Sequence, residues 1–523
     1  MAMAEGKPED RSPWSMESSE ALDALRTLDI VITRALDTVE DAWLLARRVN
    51  AEIVDPLDCL AAWDDKADTR PRVLVIGSGW AAHAMVKIVD ADLYRLLVIS
   101  PRNFFIFTPM LAASSVGTVE YRSITEPMRA SNPRAAFIEG TVSNIDPIAR
   151  LASFCVTNDI TLADGECRQI EYDVCVFAAG VKASVSKVPG VQQHCSFLKE
   201  LQDAQRLRRI VGSALEQASQ PGLSEAHRRR LLTFVVVGGG ATGVEYCGEL
   251  SDFLLDAVGR LYPSLQPLAQ VLLLHGGREL LPQFAAPMRG KALSALQARR
   301  VKVLLGTRVD AVESPTRLVA KQPSTGGDGW ERTTIECGLI VWAAGTGPTP
   351  LTESLLGALA DGAAPSEGSA EIGGDRRSSA EIASGTSSAR MAGGSSEGSS
   401  VAGGSSADGR IAVDPWLRVV DAPPGSLFAL GDAARCAGPD GKPLPQTAQV
   451  AAQQGAYVAR MLNRGYDLRP DVAPTSREAA AGDAQAFLAL RGAIEVGFTA
   501  LPSCLRCLCA ASTGTMPLRR GHT

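Results

Sequence analysis

Two short apolar runs, each leading straight into a glycine-rich turn and a helix-like stretch, constrain this 523-residue chain more than any other feature. The first is Val73-Leu-Val-Ile-Gly77-Ser78-Gly79-Trp80-Ala81-Ala82, a G-x-G-x-x-A pattern. The second is Phe234-Val-Val-Val-Gly238-Gly239-Gly240-Ala241-Thr242-Gly243-Val244-Glu245, a complete G-x-G-x-x-G. In such a turn the first glycine lets the chain double back and the second lets backbone approach a pyrophosphate. The small third residue lets the helix pack closely, with its N-terminus facing the anion. One pattern alone is weak evidence. Two of them, about 160 residues apart, imply two dinucleotides in one chain, and an enzyme that holds two usually passes a hydride between them.

The runs at 73–76 and 234–237 are β-branched and apolar, as buried parallel strands are. Strands alternating with helices across 70–460 give an α/β fold built of two Rossmann-like dinucleotide-binding domains. Two later strands, Val174-Cys-Val-Phe-Ala-Ala179-Gly180 and Leu339-Ile-Val-Trp-Ala-Ala-Gly345, both close on Ala-Ala-Gly and resemble the crossover strands of two-dinucleotide flavoproteins. Leu427-Phe-Ala-Leu-Gly431-Asp432-Ala-Ala434 resembles the Gly-Asp motif of the same class, whose Asp meets the flavin ribityl chain. The expected layout is an acidic helical extension over 1–70, an FAD-binding domain over 71–185 and an NAD(P)H-binding domain over 186–348. A disordered insertion over 361–409 follows, then the second part of the FAD domain over 410–465 and a diverged tail over 466–523.

Several further stretches together resemble the type II (alternative, non-proton-pumping) NAD(P)H:quinone oxidoreductases. They are Ser100-Pro101-Arg102-Asn-Phe-Phe-Ile-Phe-Thr-Pro-Met110, Gly117-Thr-Val-Glu-Tyr-Arg-Ser123, His194-Cys-Ser-Phe-Leu-Lys199, Val413-Asp-Pro-Trp-Leu-Arg418 and Leu444-Pro-Gln-Thr-Ala-Gln449-Val-Ala-Ala-Gln453-Gln-Gly455. The resemblance spans about 72–465 apart from the insertion. It implies FAD held at Gly77, Gly79, Trp80, Ala82, Ser100, Pro101, Arg102, Ala179, Gly180, Gly431 and Asp432, and NADH or NADPH held at Gly238, Gly240, Gly243 and Gly345. Hydride would pass from the nicotinamide to the flavin and two electrons onward to a membrane quinone, as in respiratory electron transport. Glu245 matches a family glutamate near the nicotinamide, and Gln449 and Gln453 fall where relatives border flavin and quinone. The resemblance further implies a peripheral seat on the mitochondrial inner membrane, or alternatively on a plastid membrane, and allows a homodimer.

Departures from the family shape the reading. After the strand Val271-Leu-Leu-Leu274, the position that is acidic in NADH-preferring relatives is His275, with Arg278 close behind and Glu279 beside it. A carboxylate there repels a 2′-phosphate, whereas a neutral or cationic neighbourhood tolerates it, so NADPH is expected as a substrate. The carboxyl end, Phe487 to Ala511, is apolar but interrupted by Arg491, Glu495 and Arg506 and does not align with the family's membrane-seating end. Disulfide reductases need a cysteine pair soon after the first turn, and no cysteine lies between Cys59 and Cys155. Sulfide:quinone oxidoreductases use cysteines near the flavin, which brings Cys175 and Cys195 into view. A reductase of a non-quinone acceptor and a non-catalytic flavin-binding signalling protein are the other readings. No D-x-[DN]-x-[DN]-G loop is present, so calcium control through such a loop is not expected.

Composition sets the remaining bounds. The 58 Asp and Glu against 52 Lys and Arg leave a net charge of −6, which gives no footprint for nucleic acid. Eleven cysteines and no secretory segment suit a reducing compartment, where most cysteines are plain thiols, and Cys504, Cys507 and Cys509 lack the partners of a zinc site. No metal is expected. Residues 1–24 carry Glu5, Glu9, Asp10, Glu17, Glu20 and Asp23 against Lys7 and Arg11, unlike a basic transit peptide. Leu22, Leu25, Leu28, Ile32, Leu36, Val39 and Trp43 then recur at helical spacing, and this helix is expected to lay its apolar face on the main body. In 361–409, Gly, Ser and Ala make up 33 of 49 residues, too few apolar groups to offset ordering entropy.

Overall fold

The computed structural model describes residues 37–48 without 45, then 54, 57, 59–156, 167–184, 188–324, 329–362, 408–438 and 441–465. The start of the amino-terminal helix, most of the 361–409 insertion, the 466–523 tail and its three cysteines lie outside the described residues.

The first glycine turn sits at the centre of a parallel sheet. β1 (Arg72–Ile76) leads through that turn into α1 (Trp80–Ile88) and pairs in parallel with β2 (Arg95–Ser100) on one side and β3 (Val174–Phe177) on the other. Ala136–Asp146 continues the sheet beyond β2, and Leu427–Ala429 continues it beyond β3. A strand from far along the chain thus completes the sheet begun by the first motif. Val73, Leu74 and Val75 are fully buried, which is why this stretch reads as an unbroken apolar run rather than an alternating one.

Beyond Ala136–Asp146 the sheet turns antiparallel through Leu151–Val156 and Cys167–Glu171. Their register sets Cys155 opposite Cys167 with Cα atoms 4.0 Å apart, and the two form a disulfide. This pair departs from the plain thiols expected of the sequence, because only the register brings the two residues together. Cys59, Cys175, Cys195, Cys247, Cys337 and Cys436 are buried free thiols.

The second glycine turn repeats this construction. After α2 (Leu201–Ser219), β4 (Thr233–Val237) enters the turn and α3 (Ala241–Phe253) leaves it. β4 pairs in parallel with β5 (Gln270–Leu274) and with β6 (Leu339–Trp342). Lys302–Leu304 lies outside β5, and a separate antiparallel sheet of Arg308–Ser314, Arg317–Pro323 and Trp330–Glu336 follows. The chain just past each Ala-Ala-Gly joins the other: Thr346 and Gly347 pair antiparallel with Ala183 and Lys182.

α4 (Ala448–Asn463) packs along α1 so closely that a Cβ on Gly455 would land on the Ala81 carbonyl oxygen. Both partners there are backbone and cannot step aside. Gly455→Ala is therefore expected to cost about 2 kcal/mol by overpacking, read as a lower Tm. An unchanged Tm would mean that the helices do not meet this tightly.

The amino-terminal helix, described at 37–44 and 46–48, meets the body with an unexpected face. Arg460 pairs with Asp37 at 3.5 Å and Asp41 at 2.7 Å, and Arg464 pairs with Asp37 at 2.6 Å and Glu40 at 3.3 Å. Leu44 turns inward with these acids, while Val39 and Trp43 are 67% and 57% exposed. Asp37, Glu40, Asp41 and Leu44 share helical spacing as well, and the arginines that end α4 select that face over the apolar one expected from Val39 and Trp43. Among the described residues, no helix is long and apolar enough to cross a membrane.

Candidate functional site

The two turns are built from equivalent hydrogen bonds. Gly77 N donates to Ile99 O at 2.9 Å, and Gly238 N donates to Leu274 O at 2.9 Å. Ala178 N donates to Ile76 O at 2.9 Å, and Ala343 N donates to Val237 O at 2.8 Å. Gly77 at φ +112° and Gly238 at φ +122° hold a backbone conformation that side chains rarely adopt, and a Cβ on either would strike the carbonyl of Ala178 or Ala343. Gly243 presses on the Gly238 carbonyl in the same way, whereas Ala82, fully buried, fills the matching position of the first turn.

Gly79 and Gly240 differ in kind. Both cap the following helix with ordinary extended backbone, at φ −80° and −78°, and neither offers a side-chain acceptor to the first-turn amides. A Cβ added at either would meet open space. Each helix therefore presents uncapped N–H groups and its positive end toward a space that an anion could occupy.

Residues of both halves line a continuous cleft of about 2530 Å³. Gly77, Gly79, Trp80, Ser100, Pro101, Arg102, Ala179, Gly180, Gly431, Asp432, Gln449 and Glu245 all border it. Trp80 is fixed there by its Nε1–H, which donates to Thr108 Oγ1 at 2.9 Å, and by an edge-on contact with Phe105. Gly238, Gly240, Gly243 and His275 gather instead at the second turn, Arg278 is exposed beside it, and Gly345 lies exposed at the crossover. Gln453 stands one turn along α4 from Gln449 and does not border the cleft.

The ends of β2 and β5 are also equivalent, and neither carries an acid. Ser100 Oγ donates to Ser78 Oγ at 3.0 Å, and Arg102 Nε donates to Ser78 Oγ at 3.3 Å and to Phe104 O at 2.9 Å. At the second turn, Gly239 N–H donates to His275 Nδ1 at 3.1 Å. The imidazole thus accepts on Nδ1 and is neutral, and burial holds its pKa below the usual histidine range.

Two carboxyls in the cleft are held above their ordinary range. Burial, reinforced by Glu249 one turn along α3, pushes Glu245 up to about 7. Burial also raises Asp432, against the pull of Lys199 and Arg410. Residues that sequence reading missed surround Asp432: Lys199 Nζ lies 4.0 Å from its carboxylate, and Gln446 Nε2 donates to its backbone carbonyl at 2.9 Å. Thr346 Oγ1 in turn donates to Gln446 Oε1 at 3.5 Å. Lys199 closes the family-like stretch that begins at His194, but nothing in linear spacing sets it beside residue 432.

Cys175 and Cys195 do not border the cleft, and burial raises both thiols, Cys195 to about 12. Sulfide chemistry needs an accessible thiolate, and these two do not supply one. Among the described residues no group of three or more His, Cys, Asp or Glu is placed to hold a metal ion.

Residues 71–363 match the family model described as pyridine nucleotide-disulphide oxidoreductase. The internal alternative NAD(P)H-ubiquinone oxidoreductase A1, mitochondrial, of Solanum tuberosum is 32% identical over 407 residues, which is 76% of this chain and 70% of that protein. The external alternative NAD(P)H-ubiquinone oxidoreductase B3, mitochondrial, of Arabidopsis thaliana is 37% identical over 300 residues, 56% of this chain; the chain spans about half of that relative's length, 50%. In fold, the chain is similar to NDH2 from Plasmodium falciparum, solved in complex with NADH, with a TM-score of 0.62 at 19% identity, covering 75% of this chain and 83% of that one.

Proposed function

Because the chain belongs to the pyridine nucleotide-disulphide oxidoreductase family, and within it to the type II NAD(P)H:quinone oxidoreductases, we propose that it oxidises NADH and NADPH with FAD and reduces a quinone without pumping protons. The observation that carries this reading is the pair of equivalent turns, each with an open, uncapped helix N-terminus, and the cleft that runs from the first turn to Ala241 and Thr242 at the start of α3.

The residues fit both dinucleotides. Gly79 leaves room for a pyrophosphate against the amides that open α1, and Asp432, a half-buried carboxyl bordering the cleft, suits the hydroxyls of a ribityl chain. Gly240 leaves equal room at α3 for the pyrophosphate of NAD(P)H. Bound FAD would supply the chemistry that no side chain here can, accepting hydride and delivering two electrons. The protein's own part is orientation and charge. Trp80 walls the cleft beside the first turn, and Gln449 faces it from the start of α4. With burial raising its pKa to about 7, Glu245 is partly protonated near neutrality and can hold or release a proton at its Oε atoms beside the nicotinamide.

Anaerobic titration of the FAD-loaded protein with NADH or NADPH, followed by a short-chain quinone, tests the reading. Bleaching of the flavin and recovery with quinone are expected. Absence of bleaching would leave a non-catalytic flavoprotein, and bleaching without recovery would mean a different acceptor.

Nucleotide choice follows from β5. His275 is neutral, tied to Gly239, and takes the position that is acidic in NADH-preferring relatives, so NADPH should be used with kcat/KM within about tenfold of NADH. His275→Glu is expected to lower the NADPH-to-NADH ratio of kcat/KM by about tenfold or more. A wild type that strongly prefers NADH, or a ratio unmoved by the substitution, would refute this.

The relatives named above are mitochondrial, and we assign this chain to the mitochondrial inner membrane as a peripheral protein that works as a homodimer. Release from mitochondrial membranes by alkaline carbonate, together with the mass in sedimentation, tests both points.

A further inference from the structure

The segment Leu198-Lys199-Glu200 is mounted on one half of the molecule and grips the other. Just before it, Ser196 N donates to Ile340 O at 2.9 Å and Trp342 N donates to Ser196 O at 2.7 Å, which anchors it to β6. Just after it, Lys199 N and Glu200 N both donate to Asp203 Oδ2, at 2.9 and 2.8 Å, in a capping box that opens α2. Held rigidly at both ends, the segment borders the cleft with all three residues. Its side chains reach across to the sheet of the first turn: Glu200 pairs with Arg102, and Lys199 stands 4.0 Å from Asp432.

Arg102 follows β2 and Asp432 follows the strand Leu427–Ala429, on the opposite side of β1 from β2 in the same sheet. The two ion pairs therefore span the cleft at two separated points. Resting on the FAD reading of the cleft given above, we propose that Leu198–Glu200 is a clasp that retains the flavin dinucleotide, and that the Glu200–Arg102 and Lys199–Asp432 pairs must both part before it can leave. All four side chains are partly exposed, so each pair is worth a few-fold in rate rather than orders of magnitude.

The test is the rate of FAD release, read as the gain in flavin fluorescence after dilution of the loaded protein. Glu200→Gln keeps an oxygen to cap α2 while removing the charge, and Lys199→Gln removes the charge from the other pair. Release should quicken a few-fold in each variant and about tenfold in the double variant. Raising salt to 1 M should speed wild-type release several-fold more than release from the double variant, a difference that a merely structural role would not give. A double variant that loses FAD at the wild-type rate, or wild-type release indifferent to salt, overturns the clasp. A wild type that never binds FAD overturns the reading of the cleft instead, so the two failures are distinguishable.

Discussion

Gly79→Val gives a folded protein that no longer holds FAD, and Gly240→Val gives one that keeps FAD but is not reduced by NADH or NADPH. The expectation rests on a difference among glycines that look alike in sequence. At Gly77, Gly238 and Gly243 an added Cβ strikes backbone of the protein itself, so loss of function there would be indistinguishable from loss of fold. At Gly79 and Gly240 the backbone is ordinary and the added carbon meets nothing within 4 Å. The added side chain grows from that open position beside the helix amides, which is where a pyrophosphate would bind.

Because the lost contact is a charged group on several amides, affinity should fall by about 100-fold or more at the altered site. The readouts are the flavin-to-protein ratio of purified Gly79→Val, and anaerobic bleaching of FAD-loaded Gly240→Val by millimolar nucleotide. Both variants should keep a wild-type circular dichroism spectrum. A yellow Gly79→Val protein, or a Gly240→Val protein bleached as readily as wild type, would show that the turns do not hold dinucleotides.

What the sequence made legible was local. A strand, a turn and a helix within fifteen residues carry their own signal, because Gly77 and Gly238 must adopt positive φ and the runs before them must be buried on both faces. The partners of Asp432 were not legible. Lys199 and Gln446 reach it only because Leu427–Ala429 inserts beside β3, far from the first motif in sequence, and no periodicity encodes that insertion. The amino-terminal helix shows how two faces of one segment can compete. Val39 and Trp43 suggest one packing face, and Asp37, Glu40, Asp41 and Leu44 provide another that the arginines of α4 complete. The Cys155–Cys167 pair likewise depends on an antiparallel register that twelve residues of spacing cannot specify.

Replacing Glu245 by Gln should stabilise the protein at high pH and leave it unchanged at low pH. Glu245 lies in the second turn of α3, partly out of water, with Glu249 directly below it on the same face. Burial first, and the like charge second, raise its pKa from 4.5 to about 7. The folded protein therefore holds this proton more tightly than the unfolded chain does. Below about pH 4.5 the carboxyl is protonated in both states and contributes nothing to the balance. Between pH 4.5 and 7 the unfolded chain releases the proton while the folded one keeps it, so stability falls as pH rises. Above pH 7 the full penalty of a buried carboxylate is present, and from the shift it amounts to about 3 kcal/mol.

Glutamine keeps the size and polarity of the side chain and removes only the titration. Thermal unfolding of wild type and Glu245→Gln, both loaded with FAD and free of nicotinamide, should coincide near pH 4.5 and separate progressively to pH 8. There the variant should melt about 4 °C higher. Parallel melting curves across that range would mean that Glu245 ionises at its ordinary pKa in the folded protein. Its carboxyl would then stand as a negative charge in the cleft at neutral pH, without the proton that the proposed chemistry places there.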